Sequence, residues 1–240
     1  MIYAEILAGG KGTRMGNTEM PKQFLNIGKK PIIIHTLEAF LLNMRFDKIV
    51  IVTPKQWIQH TTDLINKYLG QEVTNRVSVC AGGTDRNESI MNGIKHIEKE
   101  FGLTDEDVIV THDAVRPFLT HRIIEENINK ALEFGATDTV VPAFDTIIAS
   151  TDGDIISEIP VRDHMYQGQT PQSFNIKKLV GLYNSLTAEE KMILTDAAKI
   201  FVVKGEPVKL VQGEVFNTKI TTQYDLKLAN ALLQGDTNDK

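Results

Sequence analysis

The stretch IYAEILAGGKGTRMG, residues 2–16, decides the fold, because an apolar run passes directly into a glycine-rich loop. Residues 2–7 predict a first strand. Three further β-branched runs predict strands buried on both faces: KIVIVT at 48–53, VSVCA at 77–81 and VIVT at 108–111. Helical patterns lie between these runs. This β-α-β-α-β order predicts an α/β fold of three layers, α/β/α, with a mostly parallel sheet.

The glycine-rich loop is the first candidate ligand site. Its glycines let the backbone turn tightly and point N–H groups at a phosphate. Spacing excludes a Walker loop, which needs Ser or Thr where Gly12 follows Lys11. It also excludes the dinucleotide fingerprint, which needs glycine in place of Met15. The cations Lys11, Arg14 and Lys22 favour polyphosphate binding over a turn whose glycines serve geometry alone.

Composition narrows the class of protein. The 240 residues contain 26 Lys and Arg, 31 Asp and Glu, and one cysteine, Cys80. A net charge of −5 without a basic block argues against non-specific nucleic-acid binding. The single thiol and the lack of a stretch of about 20 apolar residues favour a cytoplasmic protein without a membrane span. The length suits one domain, residues 1–240.

Two further loops follow predicted strands, where the ligands of α/β proteins bind. AGGTDRNES, residues 81–89, fits either an ordinary strand-to-helix loop or a loop whose Ser89 contacts a base. In HDAVRP, residues 112–117, Asp113 suits Mg²⁺ and Arg116 suits a phosphate. The same two residues also fit a salt bridge that pins the loop.

The segment 145–172 breaks the alternation of strands and helices. Alternating residues on both sides of Asp152-Gly153 predict a β-hairpin that projects from the fold as an arm. A two-stranded ribbon is marginally stable alone, so we expect the arm to pack on another subunit. Judged in isolation, Arg162 is a solvated charge and Lys219 is a surface lysine.

Ordered motifs along nearly the whole chain resemble one family. LAGGKGTRMG with PK, GGTDRNES, HDAVRP, QTPQSF, LTDA and NTKIT follow one another between residue 3 and about residue 233. In this order they resemble the cytidylyltransferases that act on sugar-alcohol phosphates. The resemblance implies a Rossmann-like nucleotidyltransferase fold and a homodimer formed through the arm. It also implies transfer of CMP from CTP to a polyol phosphate, with Mg²⁺ as cofactor and pyrophosphate as the second product.

The resemblance implies roles for individual residues. It makes Asp113 the metal ligand. The implied catalytic cations are Arg14, Lys22, Arg162 and Lys219. The residues implied in CTP binding are Leu7, Ala8, Gly9, Gly10, Gly82, Gly83, Thr84, Asp85, Arg86, Asn87, Glu88, Ser89 and Ala114. The residues implied in acceptor binding are Arg116, Thr146, Arg162, Thr170, Thr195 and Lys219.

The acceptor separates two branches of this family. THDAVRPFLTHRII and MYQGQTPQSFNI resemble the branch that uses D-ribitol 5-phosphate, whose product CDP-ribitol serves wall teichoic acid synthesis. Thr84 stands where the isoprenoid enzymes carry Asp, which supports the same branch. The alternative is 2-C-methyl-D-erythritol 4-phosphate, the acceptor in isoprenoid synthesis. A non-catalytic nucleotide-binding regulatory module is an alternative of another class, and Met15 disfavours an NAD-dependent oxidoreductase.

The implied reaction needs no catalytic His or Cys. A phosphate monoester is already a nucleophile at neutral pH, so no general base is required. The barrier comes from bringing two anions together and from charge that develops on the α-phosphoryl group and on pyrophosphate. Fixed cations and Mg²⁺ reduce both contributions. No second His or Cys stands at ligand spacing from His112, which we interpret as structural.

Overall fold

The computed structural model describes residues 1–10 and 20–235. The strands are β1 (Ile2–Leu7), β2 (Asn26–Ile27), β3 (Lys30–Pro31), β4 (Lys48–Thr53), β5 (Val77–Ala81), β6 (Val108–Asp113), β7 (Ala136–Pro142), β8 (Tyr166–Asn175) and β9 (Lys209–Gln212). The α-helices are α1 (Ile32–Leu41), α2 (Ile58–Leu69), α3 (Arg86–Phe101), α4 (His121–Phe134), α5 (Ile176–Asn184), α6 (Ala188–Met192), α7 (Ala198–Val203) and α8 (Gln223–Gly235). None of these helices is both long enough and apolar enough to span a bilayer.

Seven strands form one sheet in the order β5-β4-β1-β6-β8-β7-β9. β1 pairs in parallel with β4 and β6, β4 with β5, and β7 with β9. β8 runs antiparallel to both of its neighbours. The prediction of an α/β fold with a mostly parallel sheet is confirmed. Because β1, β4, β5 and β6 run in one direction, the loops that follow them meet at one edge of the sheet.

Each face of the sheet has its own core, because successive side chains of a strand point to opposite faces. Ala4 and Ile6 of β1 lie in the buried cluster that α1, α2 and α4 complete. Tyr3 lies in the cluster on the other face, which α3, α5 and α7 complete. Glu5 shares the face of Tyr3, so a carboxyl group is buried in the apolar layer under α3.

Helix α4 and strand β5 show how local signals succeed and fail. The hydroxyl of Thr120 accepts a hydrogen bond from Ile123 N at the start of α4, and Gly135 ends the helix at φ 85°, as the sequence predicts. The prediction that residues 77–81 are buried on both faces is wrong. β5 is the edge strand, and only its Val77 is buried. A β-branched run does not distinguish an edge strand from a central one.

The arm is shorter and less regular than the predicted hairpin over 145–172. Residues 166–172 belong to β8, whose backbone groups pair with β6 on one side and β7 on the other. The projecting part is residues 144–165, which we call the arm. Its two sides meet at one isolated bridge between Ala149 and Glu158. The Asp152 carboxylate closes the turn by accepting hydrogen bonds from the amides of residues 154 and 155.

Gly93 of α3 is expected to tolerate no side chain. A Cβ there would stand 1.8 Å from Oε1 of Glu5 and 3.0 Å from Cγ2 of Val52. Gly93→Ala therefore forces a fully buried carboxyl group to move, and we expect the free energy of unfolding to fall by about 1–3 kcal/mol. Urea unfolding at neutral pH measures this change.

Gly181→Ala is the matched control for Gly93→Ala. Gly181 is also inside a helix, α5, but nothing lies within 4 Å of an added Cβ. Alanine is the better helix former, so this variant is expected to be more stable by about 0.5–1 kcal/mol. Equal changes in the two variants would contradict the close packing of Glu5 against α3.

Candidate active site

A cavity of about 420 Å³ opens at the carboxyl ends of β1 and β6. Its described lining is Leu7, Ala8, Gly9, Gly10, Lys22, Gln23, Gly83, Thr84, Asp85, Arg86, Ser89, Asp113, Ala114, Val115, Lys219 and Thr221. Most residues expected to contact CTP are therefore brought together from loops that are distant in sequence. Arg14 lies outside the described residues. Three of the expected residues do not line the cavity: Gly82, Asn87 and Glu88.

Lys22 is held beside the glycine-rich loop by the residues that follow it. Nε2 of Gln23 donates a hydrogen bond of 2.6 Å to the backbone oxygen of Ala8, and the ring of Phe24 is buried in the core. The Lys22 side chain is buried, and its Cε lies 3.6 Å from the position of a Cβ on Gly10. The sequence motifs did not predict the role of Gln23, whose hydrogen bond links the segment that contains Lys22 to the end of β1.

Side chains of the loop between β5 and α3 fix its shape. Asp85 caps α3 by accepting a hydrogen bond of 2.8 Å from Glu88 N, and the Glu88 carboxylate accepts one of 2.7 Å from Thr84 N. The Ser89 hydroxyl donates to Asp85 O and accepts from Gly83 N. One lone pair of that hydroxyl is left for a further donor, such as the amino group of a base.

Asp113, the last residue of β6, lies at the centre of a cluster of charges. Its Oδ1 accepts a hydrogen bond from Arg86, and its Oδ2 lies 2.8 Å from Nζ of Lys219 and 3.7 Å from Nε of Arg116. Burial acts to raise the pKa of Asp113. The charges of Arg86, Lys219 and Arg116 outweigh burial and hold that pKa well below its usual range. Asp113 is therefore an anion at physiological pH.

The charge cluster suits a polyphosphate with a divalent cation. Three cations around one carboxylate leave an excess of positive charge at the cavity wall. Mg²⁺ bound through substrate phosphates needs only one or two protein carboxylates, and Asp113 supplies one. Within residues 1–10 and 20–235, no three His, Cys, Asp or Glu side chains converge on a common metal position. The donor set thus fits a magnesium ion shared with phosphate oxygens.

His112 connects the loop after β6 with β8. Its Nε2 lies 3.0 Å from Arg116 O, and its Nδ1 lies 3.0 Å from Oγ1 of Thr170. Thr170 Oγ1 also accepts a hydrogen bond of 3.2 Å from Asp113 N. Burial lowers the pKa of His112 to about 4, so its ring is neutral at pH 7. These contacts agree with the structural interpretation of His112 and place Thr170 beside Asp113.

The residues expected to contact the acceptor fall into two groups. Arg116, Thr170 and Lys219 lie around Asp113. Thr146 and Arg162 lie on the arm, where the Arg162 side chain is 56% exposed and donates a hydrogen bond of 3.4 Å to Phe144 O. Thr195, also exposed, is outside the lining of the cavity. The structure does not bring these last three residues into the cavity.

A row of polar side chains crosses the sheet at the level of Thr111, two residues before Asp113 on β6. Glu5, Thr111, Gln172 and Asp138 are register partners on β1, β6, β8 and β7, so they share a face. Both oxygens of Glu5 and Oε1 of Gln172 are buried without a hydrogen-bond partner. Burial raises the pKa of Glu5 well above its usual range, although Arg86 opposes this effect. Sequence reasoning missed the row because each member lies in a separate strand.

Asp138 is expected to make stability depend on pH. Burial raises its pKa from 3.8 to about 6, with Asp196 adding to the effect and Gln172 and Arg86 opposing it. Between pH 4 and 6 the folded protein holds this proton and the unfolded chain does not, so the free energy of unfolding falls as pH rises. Asp138→Asn removes this contribution, which is about 1–3 kcal/mol.

Urea unfolding of both proteins at pH 4.5 and pH 7 measures the pH effect of Asp138. The variant is expected to gain stability relative to the wild type as pH rises. Glu5 contributes in the same direction in both proteins and cancels in the difference. A stability difference that is the same at both pH values would contradict a raised pKa for Asp138.

Comparison with known proteins relates the whole chain to one family. Residues 2–235 match the family model described as IspD, 2-C-methyl-D-erythritol 4-phosphate cytidylyltransferase. The chain is similar to the solved 4-diphosphocytidyl-2C-methyl-D-erythritol synthase of Anaerococcus prevotii. The two are 30% identical with a TM-score of 0.78, over 97% of this chain and 96% of that one.

Two further solved structures are similar in fold. The 2-C-methyl-D-erythritol 4-phosphate cytidylyltransferase of Francisella tularensis is 26% identical with a TM-score of 0.78, over 96% of this chain and 98% of that one. The enzyme of the same name from Thermus thermophilus is 24% identical with a TM-score of 0.73, over 98% and 100% of the two chains. At 24% identity, the similarity to the Thermus thermophilus enzyme supports the fold alone.

Proposed function

This chain belongs to the IspD family of cytidylyltransferases, and we propose that it transfers CMP from CTP to the phosphate of a sugar-alcohol phosphate. The observation that carries the proposal is the position of Asp113. Its carboxylate stands at the end of β6, contacts the cations Arg86, Arg116 and Lys219, and lines the same cavity as Gly9 and Gly10 after β1. We further propose that residues 1–240 act as one nucleotidyltransferase domain in the cytoplasm.

The proposed reaction is an in-line displacement at the α-phosphorus of CTP. An oxygen of the acceptor phosphate forms a new bond to that phosphorus, the bond to the bridging oxygen of the β-phosphate breaks, and pyrophosphate leaves. The residues after β1 and the loop before α3 would bind the triphosphate and the base. Lys22 and Arg14 would stabilise the charge that develops on the α-phosphoryl oxygens, and Lys219 would position the acceptor phosphate.

We propose that Asp113 binds the divalent cation together with phosphate oxygens of CTP. When bound, Mg²⁺ neutralises phosphate charge and orients the triphosphate. In the free protein Arg86, Arg116 and Lys219 share the Asp113 carboxylate. Phosphate groups that enter the cavity offer these three cations new anionic partners. The cations thus hold the carboxylate in position until substrate arrives.

Two acceptors are candidates for this site, and we propose D-ribitol 5-phosphate as the first. The motifs over residues 111–124 and 165–176 support it, as does Thr84. The product would then be CDP-ribitol for wall teichoic acid synthesis. The matching family and the solved relatives carry the name of 2-C-methyl-D-erythritol 4-phosphate, which favours that second candidate. The solved relatives are 24–30% identical to this chain, and a shared fold alone does not fix the acceptor.

The acceptor is tested by pyrophosphate release with CTP and Mg²⁺, with each of the two polyol phosphates at equal concentration. Turnover with ribitol phosphate alone supports the first candidate. A preference for the branched acceptor would replace it with the second and leave the proposed mechanism intact. CTP without an acceptor is the control for hydrolysis.

We propose a homodimer in which the arm of one subunit reaches the active site of the other. Apolar side chains of the arm are 53–68% exposed in the single chain: Phe144, Ile148, Ile155, Ile156, Ile159 and Val161. Burial of such a surface favours association. The arm also carries Arg162 and Thr146, which lie outside the cavity of their own chain. A partner's arm would supply these two residues.

Mixing two inactive variants tests the shared site. Arg162→Ala and Lys22→Ala are each expected to be nearly inactive alone. If Arg162 acts on the partner's cavity, mixed dimers contain one site with both wild-type residues, and equal mixing restores up to about a quarter of wild-type activity. Light scattering that shows only monomer would contradict the proposed dimer, and mixing that restores no activity would contradict the shared site.

A further inference from the structure

We propose that Asp138, Gln172 and Asp196 form a subsite that binds hydroxyl groups of the acceptor's polyol chain. The inference rests on the proposed function and deepens it, because it assigns side chains to the part of the acceptor that distinguishes one polyol phosphate from another. None of the three is among the residues that the motifs assign to the acceptor. Two of them are close in sequence to residues that the motifs do assign to the acceptor: Gln172 follows Thr170 by two positions, and Asp196 directly follows Thr195.

The three side chains lie next to the charge cluster around Asp113. Gln172 and Asp138 belong to the polar row, where Gln172 is the register partner of Thr111, two residues before Asp113. Asp196 precedes α7, and its Oδ1 accepts a hydrogen bond of 3.0 Å from Lys199 N. Asp196, Arg86 and Arg116 all lie close enough to Asp138 to interact with its charge. Asp138 therefore lies within electrostatic range of Asp196 and of two cations from the cluster around Asp113.

The hydrogen-bonding groups of this subsite match hydroxyl donors. Nε2 of Gln172 donates a hydrogen bond of 3.0 Å to Oδ1 of Asp138. Oε1 of the same amide is buried without a partner, and the Gln172 side chain is 2% exposed. Buried polar atoms almost always have a partner, so an acceptor atom in this position points to a donor absent from the free protein. A hydroxyl group supplies such a donor.

The charge pattern orients a polyol phosphate in one direction. Its phosphate suits Arg116 and Lys219, whereas a phosphate would be repelled by Asp138 and Asp196. The polyol chain then extends over the carboxylates, which accept hydrogen bonds from its hydroxyl groups. The carboxylates of Asp138 and Asp196 are both half-buried and repel each other, and hydrogen bonds from hydroxyl groups reduce that repulsion. Such a subsite favours an acceptor whose chain carries several hydroxyl groups beyond those nearest the phosphate.

The test compares acceptors that share a phosphate ester but differ in the number of hydroxyl groups. Wild type and Asp138→Ala are assayed with CTP, Mg²⁺ and whichever of the two proposed acceptors turns over, and glycerol 3-phosphate is measured as a competing ligand. Asp138→Asn keeps the shape of the side chain and serves if the alanine variant unfolds. Asp63→Ala removes an exposed carboxylate on α2 and is the control.

Asp138→Ala is expected to lower kcat/KM for the polyol phosphate by about 10- to 100-fold. For Asp138→Ala, the KM for CTP and the inhibition constant of glycerol 3-phosphate are expected to stay within about twofold of wild type. For the control Asp63→Ala, all three constants are expected to stay within the same range. An unchanged kcat/KM in the variant, or an equal weakening of CTP, the polyol phosphate and glycerol 3-phosphate, would overturn the subsite alone. Wild-type protein that transfers CMP to neither polyol phosphate would overturn the proposed function, and the subsite with it.

Discussion

Lys22→Ala is expected to lower kcat for CMP transfer by about 10²–10³-fold, the effect of removing one fixed donor from a transition state. The Lys22 side chain is buried beside Gly10, and the hydrogen bond between Gln23 and Ala8 fixes the residue that follows it. The side chain therefore needs little reorganisation when charge develops on the α-phosphoryl group. The KM for CTP is expected to change much less than kcat, because the interaction strengthens in the transition state.

Lys29→Ala is the control for Lys22→Ala, since Lys29 is an exposed cation outside the lining of the cavity. It is expected to keep wild-type kcat and KM. Steady-state kinetics at saturating Mg²⁺ measures both variants. Turnover of Lys22→Ala near the wild-type rate would rule out Lys22 as the transition-state cation.

Asp113→Asn is expected to abolish Mg²⁺-dependent transfer and to destabilise the free protein. The substitution leaves Arg86, Arg116 and Lys219 without their shared counter-charge. Removal of one partner from a buried ion pair costs about 3–5 kcal/mol. Lys219 is 39% exposed, so solvent screens its interaction with Asp113. We therefore expect the free energy of unfolding to fall by an amount near the lower end of that range. Urea unfolding at neutral pH measures it.

Pyrophosphate distinguishes loss of charge balance from general damage in Asp113→Asn. Without metal, it is expected to raise the melting temperature of the variant more than that of wild type, because its charges pair with the uncompensated cations. Asp105→Asn is the control: Asp105 forms an exposed pair with Lys177 at 2.7 Å, and its loss is expected to cost less than about 0.5 kcal/mol. Full stability and turnover in Asp113→Asn would refute the central place of this carboxylate.

The sequence predicts the loops of the site because their positions follow from local patterns. Each β-branched run ends just before a loop, and parallel strands bring such loops to one edge of the sheet. Asp113, Lys22 and the loop before α3 were therefore predictable once β1, β5 and β6 were identified. Most of them line one cavity in the structure.

The polar row and the limits of the arm depend on pairing between distant strands. β8 contains glycine, proline and three glutamines, so its composition does not predict a strand in the middle of a sheet. If β8 is not predicted, residues 166–172 are assigned to the arm, and no neighbouring strand can be assigned to Gln172. Asp138 and Glu5 lie in β7 and β1, and only the register of the folded sheet places them beside Gln172 and Thr111.

Transfer of CMP is tested most directly by ³¹P NMR of the products formed from CTP, Mg²⁺ and a polyol phosphate. The proposed function predicts one pyrophosphate for each CTP consumed, together with a pyrophosphate-linked CDP-polyol that contains the acceptor phosphorus. It also predicts that neither product forms without acceptor. Bound CTP that stays intact with both candidate acceptors would contradict it and favour a nucleotide-binding protein without catalysis.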